Sequence, residues 1–316
     1  MKYIVPDYYK EFNCIADKCL HSCCIGWEID IDKATHKKYG HIDNNFGRRL
    51  NESIEIDNGV PFFKLDSHER CLFLNKNNLC DIILNIGEDY LCQICRDHPR
   101  FRNFYSDRIE IGLGLCCEEA ARIIIEQNSP THLILLSDDG QIIEIDKDEN
   151  DFLCERNKIF SIIQDREKDF TLRIQELQSL YSIKLPEKSI DEWVEFYLQL
   201  EQLDPIWTTL LLELKKHSNE INSIKTTEKF DICFEQILFY FLYRHLADSL
   251  DDGRFFQRIL FAIHGTYFID LICRLYIIKN KDLKVKDIIE ISRMYSSEIE
   301  YSEENINSLL EEFTQK

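Results

Sequence analysis

The sequence predicts a mainly α protein with a small, irregular, cysteine-rich metal-binding unit at its N-terminus and one short β-hairpin. Three observations carry that expectation. Ten of the thirteen cysteines stand at positions 14, 19, 23, 24, 71, 80, 92, 95, 116 and 117, leaving three for the remaining two thirds of the chain. From about residue 150 onward the apolar residues recur with a helical period. Glycine (10) and proline (6) are scarce, which argues against a turn-rich all-β architecture and long linkers. A chain of 316 residues accommodates two domains, here expected at 1–125 (cysteine-rich) and 126–316 (mostly helical).

Within the first region WEIDID (27–32) alternates like a short strand, and KATHKKYG reads as a helix closed by Gly40. PFFKLD and RCLFLNKNNLCDI read as extended pieces around an Asn-rich turn. HLILLSDDGQIIEI (132–145) places two apolar runs around Asp139-Gly140, a hairpin signal. FLCERNKIFSIIQDREKDFTLRIQELQSLYSI gives one or two amphipathic helices, and SIDEWVEFYLQLEQLDPIWTTLLLELKKH gives two more, broken near Pro205. FEQILFYFLYRHLADSL is apolar nearly all round and reads as the buried central helix. After the turn Asp251-Asp252-Gly253, RFFQRILFAIHGTYFIDLICRLYII reads as a second buried helix.

The formal net charge of −19 argues against nucleic acid or an anionic membrane as partner. Residues 1–120 carry 15 basic and 20 acidic side chains against 23 and 37 in the rest, so the acidity is mostly C-terminal and suits a basic protein surface. The start, MKYIVPDYYKEF, has no basic region followed by an apolar run, and no window of about 18 apolar residues exists. The expected location is therefore cytoplasmic, where thiols stay reduced, and disulfides are a poor reading of thirteen cysteines.

The spacings are Cys14-x4-Cys19-x3-Cys23-Cys24, Cys71-x8-Cys80, Cys92-x2-Cys95 and Cys116-Cys117. A CxxC loop lets two thiolates reach one metal without backbone strain. Arg96, Arg100 and Arg102 follow it, and cations near thiols lower their pKa and offset the charge of a thiolate cluster. In an extended segment Cys23 and Cys24 point to opposite faces, so they are expected to mark two centres, or one ligand beside a packed thiol. Spacing does not choose between zinc and an iron–sulfur cluster. His21, His68 and His98 read as surface residues or neighbours of ligands. Cys154, Cys233 and Cys273 read as small hydrophobes packed on helix faces. EIGLGLC (110–116) imitates a nucleotide-binding glycine loop but lacks the third glycine and the βαβ pattern. The cysteine triplet of radical enzymes is also absent.

Taken together, VPDYYKEFNC, the CC-x-GW after the first cysteines, CLFLN…LCDI, GEDYLCQICRDHPR and LCCEEAAR resemble the flagellin lysine N-methylase family, with its zinc- or iron-chelating CxxCxxCC domain. FYFLYRHL…DDGRFFQRILFAI is similar to the helical half of that family, so the resemblance spans most of the chain. It implies S-adenosylmethionine-dependent methylation of surface lysines on flagellin, with a cysteine-ligated [4Fe-4S] cluster expected and zinc as the alternative. Carried over by position, the family's cysteines fall on Cys14, Cys19, Cys23, Cys24, Cys71, Cys80, Cys92, Cys95 and Cys117. Cys116 is an extra thiol where the family has serine. On this reading Tyr90, Glu118 and Glu119 are candidates for handling the proton of the lysine amine, and Arg96 and Arg100 for contacting the cofactor. The rival reading is a non-catalytic zinc module stapling a small domain to a helical scaffold.

Overall fold

The computed structural model of the chain describes residues 1–314 apart from Glu28, Ile142 and Thr227. Its elements run β1 (Lys2–Pro6), β2 (Ile29–Asp30), α1 (Lys33–Tyr39), α2 (Asn45–Glu52), β3 (Ile54–Asp57), β4 (Val60–Phe63), α3 (Asp81–Ile86) and α4 (Gln93–Asp97). Then follow β5 (Arg100–Phe104), β6 (Arg108–Leu113), α5 (Glu118–Ile125), β7 (Leu133–Asp138), α6 (Lys147–Ile163), α7 (Phe170–Tyr181), α8 (Ile190–Gln199) and α9 (Pro205–Lys216). The last are α10 (Ser218–Ile221), α11 (Asp231–His245), α12 (Ser249–Asp252), α13 (Phe255–Asn280), α14 (Val285–Ile299) and α15 (Glu303–Glu312). The mainly helical expectation holds.

Packing divides the chain into two compact units, Asn13–Arg100 and a second formed by Met1–Phe12 with Phe101–Lys316. This differs from the expected division at residue 125, and strand pairing supplies the reason. β1 pairs in parallel with β6 and antiparallel with β7, in a four-stranded sheet ordered β5-β6-β1-β7. The first twelve residues and everything after Arg100 therefore share one core, and the cysteine-rich segment is inserted between them.

The hairpin at 132–145 is corrected by the same pairing. Its first arm is β7, but β7 takes β1 as its partner. The described residues of the second arm, 141 and 143–145, form no strand, and Ile142 lies outside the described residues. Gly112, in the decoy loop EIGLGLC, sits within β6 facing the ring of Phe101, where an added Cβ would come within 2.2 Å of ring carbon. That glycine serves β5–β6 packing.

In the helical unit α11 runs through the core, buried from Cys233 to Tyr243, and α13 packs along it. The chain breaks where capping chemistry says it should. Ser189 and Glu192 form a reciprocal cap at the start of α8, and Asp204 caps α9 ahead of Pro205. Among the described residues α13 is the one helix long and apolar enough to cross a bilayer, and most of its apolar window is buried inside this core. Cys233 and Cys273 are buried as expected, whereas Cys154 is exposed on α6 and is no packed hydrophobe.

Buried charge is held in defined sets. Glu235 receives Arg173 at 2.5 Å and Arg166 at 2.7 Å, and Glu110 receives both terminal nitrogens of Arg156 at 2.6 and 3.1 Å. His264 is the exception. It is fully buried against Trp193, Tyr197 and Phe268, and neither ring nitrogen has a hydrogen-bond partner. Burial, aided by the Lys188 cation, pushes its pKa down to about 3. As pH falls, the unfolded chain, with an ordinary value of 6.5, takes up this proton first. The contribution to stability is therefore full above pH about 6.5 and is lost as pH falls toward 3. His264→Phe is expected to raise stability by about 1 kcal/mol at neutral pH, by removing two unsatisfied polar atoms. It should also flatten the fall in melting temperature between neutral and acidic pH, as read by calorimetry.

Candidate metal centre and a buried polar cluster

The cysteine-rich unit has a small core of Ile29, Tyr39, Leu50, Phe63 and Phe73, with the rings of Phe63 and Phe73 5.0 Å apart. Around it the backbone is strapped by single bridges, Ile25 with Arg70, Leu65 with Cys71 and Leu74 with Cys80. Cys71 N–H donates to the carbonyl of Cys24 at 2.8 Å. Asp32 caps α1 through Thr35, and its second oxygen receives the N–H of Gln93 at 2.9 Å, which seats the CxxC loop. Tyr39 Oη donates to the carbonyl of Tyr90 at 2.6 Å on the other side of that loop.

These straps gather five of the nine expected ligands. Cys24, Cys71, Cys80, Cys92 and Cys95 lie close enough that each is felt electrostatically by others of the set. Cys92 and Cys95 stand Sγ to Sγ at 3.3 Å. The hydrogen bond within this pair favours the Cys92 thiolate and holds the Cys95 proton strongly, with burial reinforcing the latter. Burial pushes Cys71 up to about 12. Cys24 falls to about 7, chiefly through a hydrogen bond from Cys23, with Ser22 and the Arg70 cation assisting against burial.

The expectation that Cys23 and Cys24 point apart is thereby corrected. They occupy a turn rather than an extended segment, and their thiols meet. Cys23 thus touches the set through Cys24, and the other three expected ligands lie elsewhere. Cys14 is exposed, Cys19 Sγ donates to the carbonyl of His21 at 3.1 Å, and Cys117 stands at the N-terminal boundary of α5 in the helical unit. Arg96 donates to the Leu91 carbonyl at 2.9 Å, and Arg100 to the Arg96 carbonyl at 3.5 Å. The cation acting on Cys24 is Arg70, a residue with no spacing motif to mark it.

Among the described residues no three histidine, cysteine or carboxylate side chains close on one point as a ready-made metal site. The donor set nevertheless fits a thiophilic group: five sulfurs, partly or fully buried, with a cation beside them. A hard cation would find no oxygen donor in it.

Tyr90 ends a short 3-10 turn packed on the small core. Glu118 and Glu119 open α5 in the other unit, where Glu119 is clasped by Arg122 at 2.6 and 2.8 Å. Within the same unit, a polar cluster unforeseen from the sequence occupies the core. Glu300, fully buried, accepts from Tyr240 Oη at 2.9 and 3.0 Å and meets His245 Nε2 at 2.5 Å. Arg244 donates to Tyr240 Oη at 2.7 Å, and Tyr240 in turn accepts the N–H of Leu115 at 3.1 Å. Cys116 Sγ meets Tyr301 Oη at 2.7 Å, with Arg244 over the Tyr301 ring. Burial would raise Glu300, but Arg244 and His245 outweigh it and hold the carboxyl below its usual range. Burial raises Cys116 to about 12 despite Tyr301 and Arg244. The one sequence signal for this cluster was Arg244-His245 ending a helix otherwise apolar all round.

Residues 106–316 match the FliB lysine N-methylase C-terminal domain, and the chain belongs to that family. The match begins after the cysteine-rich unit. A flagellar biosynthetic protein FliU of Salmonella muenchen is 29% identical over 140 residues, covering 41% of this chain and 79% of that protein. A lysine-N-methylase of Salmonella typhimurium (strain LT2) is 28% identical over 140 residues, 41% of this chain and 33% of that enzyme. The similarity thus spans a third of the lysine-N-methylase. No solved structure matches the chain.

In metal-free protein, alkylation of Cys24 is expected to reach half its limiting rate near pH 7, and Cys71 to stay unreactive through neutral pH. Arg70→Gln should move the Cys24 midpoint upward, as read by peptide mass spectrometry.

Proposed function

We propose that the chain is an S-adenosylmethionine-dependent protein-lysine N-methyltransferase acting on flagellin, with a thiolate-held metal group in its cysteine-rich unit. The observation that carries the reading is the family match across most of the helical unit, residues 106–316. The names of the similar proteins support the chemistry and the flagellar context.

Methyl transfer forms an N–C bond to a neutral lysine amine, breaks the C–S bond of the sulfonium, and leaves a proton on nitrogen for a base to accept. Glu118, Glu119 and Tyr90 are the side chains put forward for that proton. Cys24, Cys71, Cys80, Cys92 and Cys95 would hold a [4Fe-4S] cluster or zinc. When bound, such a group supplies redox capacity or a Lewis-acid anchor. Arg70 offsets the thiolate charge, and Asp32 and Tyr39 hold the CxxC loop from its two sides. A structural zinc role is the second reading, and one observation favours it: the family match stops short of the cysteine-rich unit.

Incubation of the purified chain with S-adenosylmethionine and flagellin is expected to add methyl-group mass to flagellin lysines. Absence of both transfer and S-adenosylmethionine binding by calorimetry would sink the methylase reading. Protein purified without oxygen should be brown, with absorbance near ~400 nm; a colourless, zinc-loaded protein would support the structural alternative. Cys92→Ser and Cys71→Ser are expected to lose most of the bound metal by elemental analysis, while Cys14→Ser keeps it. Equal loss in all three would overturn the five-thiol assignment.

A further inference from the structure

The sheet of the helical unit ends at β7, and this edge is open. Among the described residues β7 pairs with β1 alone, and no strand lies on its outer side. LILLSD carries neither of the usual edge guards, Lys or Pro, and Leu135 is 56% exposed. Just before the strand, the side-chain amide of Gln164 (following α6) imitates a neighbouring strand. Its Oε1 accepts the N–H of Thr131 at 2.6 Å and its Nε2 donates to the carbonyl of Thr131 at 3.3 Å. Past Thr131 that substitute stops.

Over the face of the sheet lies a cleft of about 560 Å3, floored by Glu110 of β6, Ile4 of β1 and Leu133 and Leu135 of β7 and walled by Asn157, Ser161 and Gln164 of α6 at roughly one-turn spacing. Its lining includes Arg156, 3% exposed, whose terminal nitrogens are taken by Glu110 but whose Nε–H finds no acceptor in the protein. The segment leading on from the strand, 138–151, carries seven acidic residues and one lysine.

We infer that the open edge of β7 takes an extended, lysine-bearing segment of the protein substrate as a further strand, whose side chains on the α6 face reach over Leu135 into this cleft. The inference rests on the lysine-methylase reading and gives it a substrate-binding surface. Six residues of β7 offer about 20 Å of edge. Main-chain pairing supplies affinity with little demand on sequence, and Leu133 and Leu135 flank alternate side chains of the added strand. The acidic run beyond Asp138 selects for basic residues and against acidic ones.

Binding to the full chain is measured by fluorescence anisotropy with a labelled peptide of alternating lysine and valine. A second peptide of the same sequence has every other backbone amide N-methylated. The first is expected to bind and the second to bind at least about ten-fold more weakly, because it has lost its strand-pairing donors. Equal binding of the two, or binding of neither, overturns the inference. Ser161→Arg, on the exposed side of α6, should raise KM for the protein substrate about ten-fold and leave S-adenosylmethionine affinity unchanged. An unchanged KM in an active, folded variant also overturns it. The peptide experiment needs no methyl transfer, so an inactive enzyme would count against the proposed function and leave the groove independently tested.

Discussion

Lys2, Tyr3 and Ile4 pair in parallel with Arg108, Ile109 and Glu110, and that register encloses the whole cysteine-rich segment. A parallel pair needs a long crossover, and here the crossover is a folded unit with its own core. β6 in turn leads into α5 and carries Glu110, the anchor of buried Arg156. Losing the β1–β6 register would unseat β7, expose the Glu110–Arg156 pair and free both ends of the inserted unit.

Each of the two units holds its own kind of polar chemistry. In the cysteine-rich unit the groups are soft sulfurs under partial burial, with proton affinities spread from Cys24 at about 7, through Cys71 at about 12, to Cys95, which holds its proton most strongly. In the helical unit the groups are carboxylate, imidazole, guanidinium and phenol, satisfied by one another around Glu300. The first set suits a thiophilic group, and the second is complete without one. The vicinal pair Cys116-Cys117 belongs to the helical unit, and Cys116 is engaged by Tyr301.

Features set by local periodicity or local chemistry were legible in the sequence. The apolar run 234–246 marked α11 because a helix buried on every face needs no polar stripe. Gly40 closed α1, and Pro205 opened α9 as its fixed backbone angle and missing N–H favour. Density of thiols, with the CxxC, pointed to Cys71, Cys80, Cys92 and Cys95. Long-range choices were not legible. Asp139-Gly140 spells a hairpin turn, yet β7 found a better partner in β1, more than a hundred residues away. Cys23 and Cys24 meet because a turn, which adjacent residues alone do not announce, replaces the strand assumed for them. Arg70, Tyr240 and Glu300 act through neighbours distant in sequence, so nothing in their own surroundings distinguished them.

The insertion also sets an order of events during synthesis. β1 leaves the ribosome first, but its parallel partner β6 follows only about a hundred residues later. At typical translation speeds that delay is roughly 5–20 s. Throughout it the strand has no native ladder, while the cysteine-rich unit, complete by Arg100, can already collapse around its own core. Collapse of that unit and completion of the sheet are therefore separate acts, and a nascent chain stalled between them exposes the strand β1 to whatever chaperone is at hand.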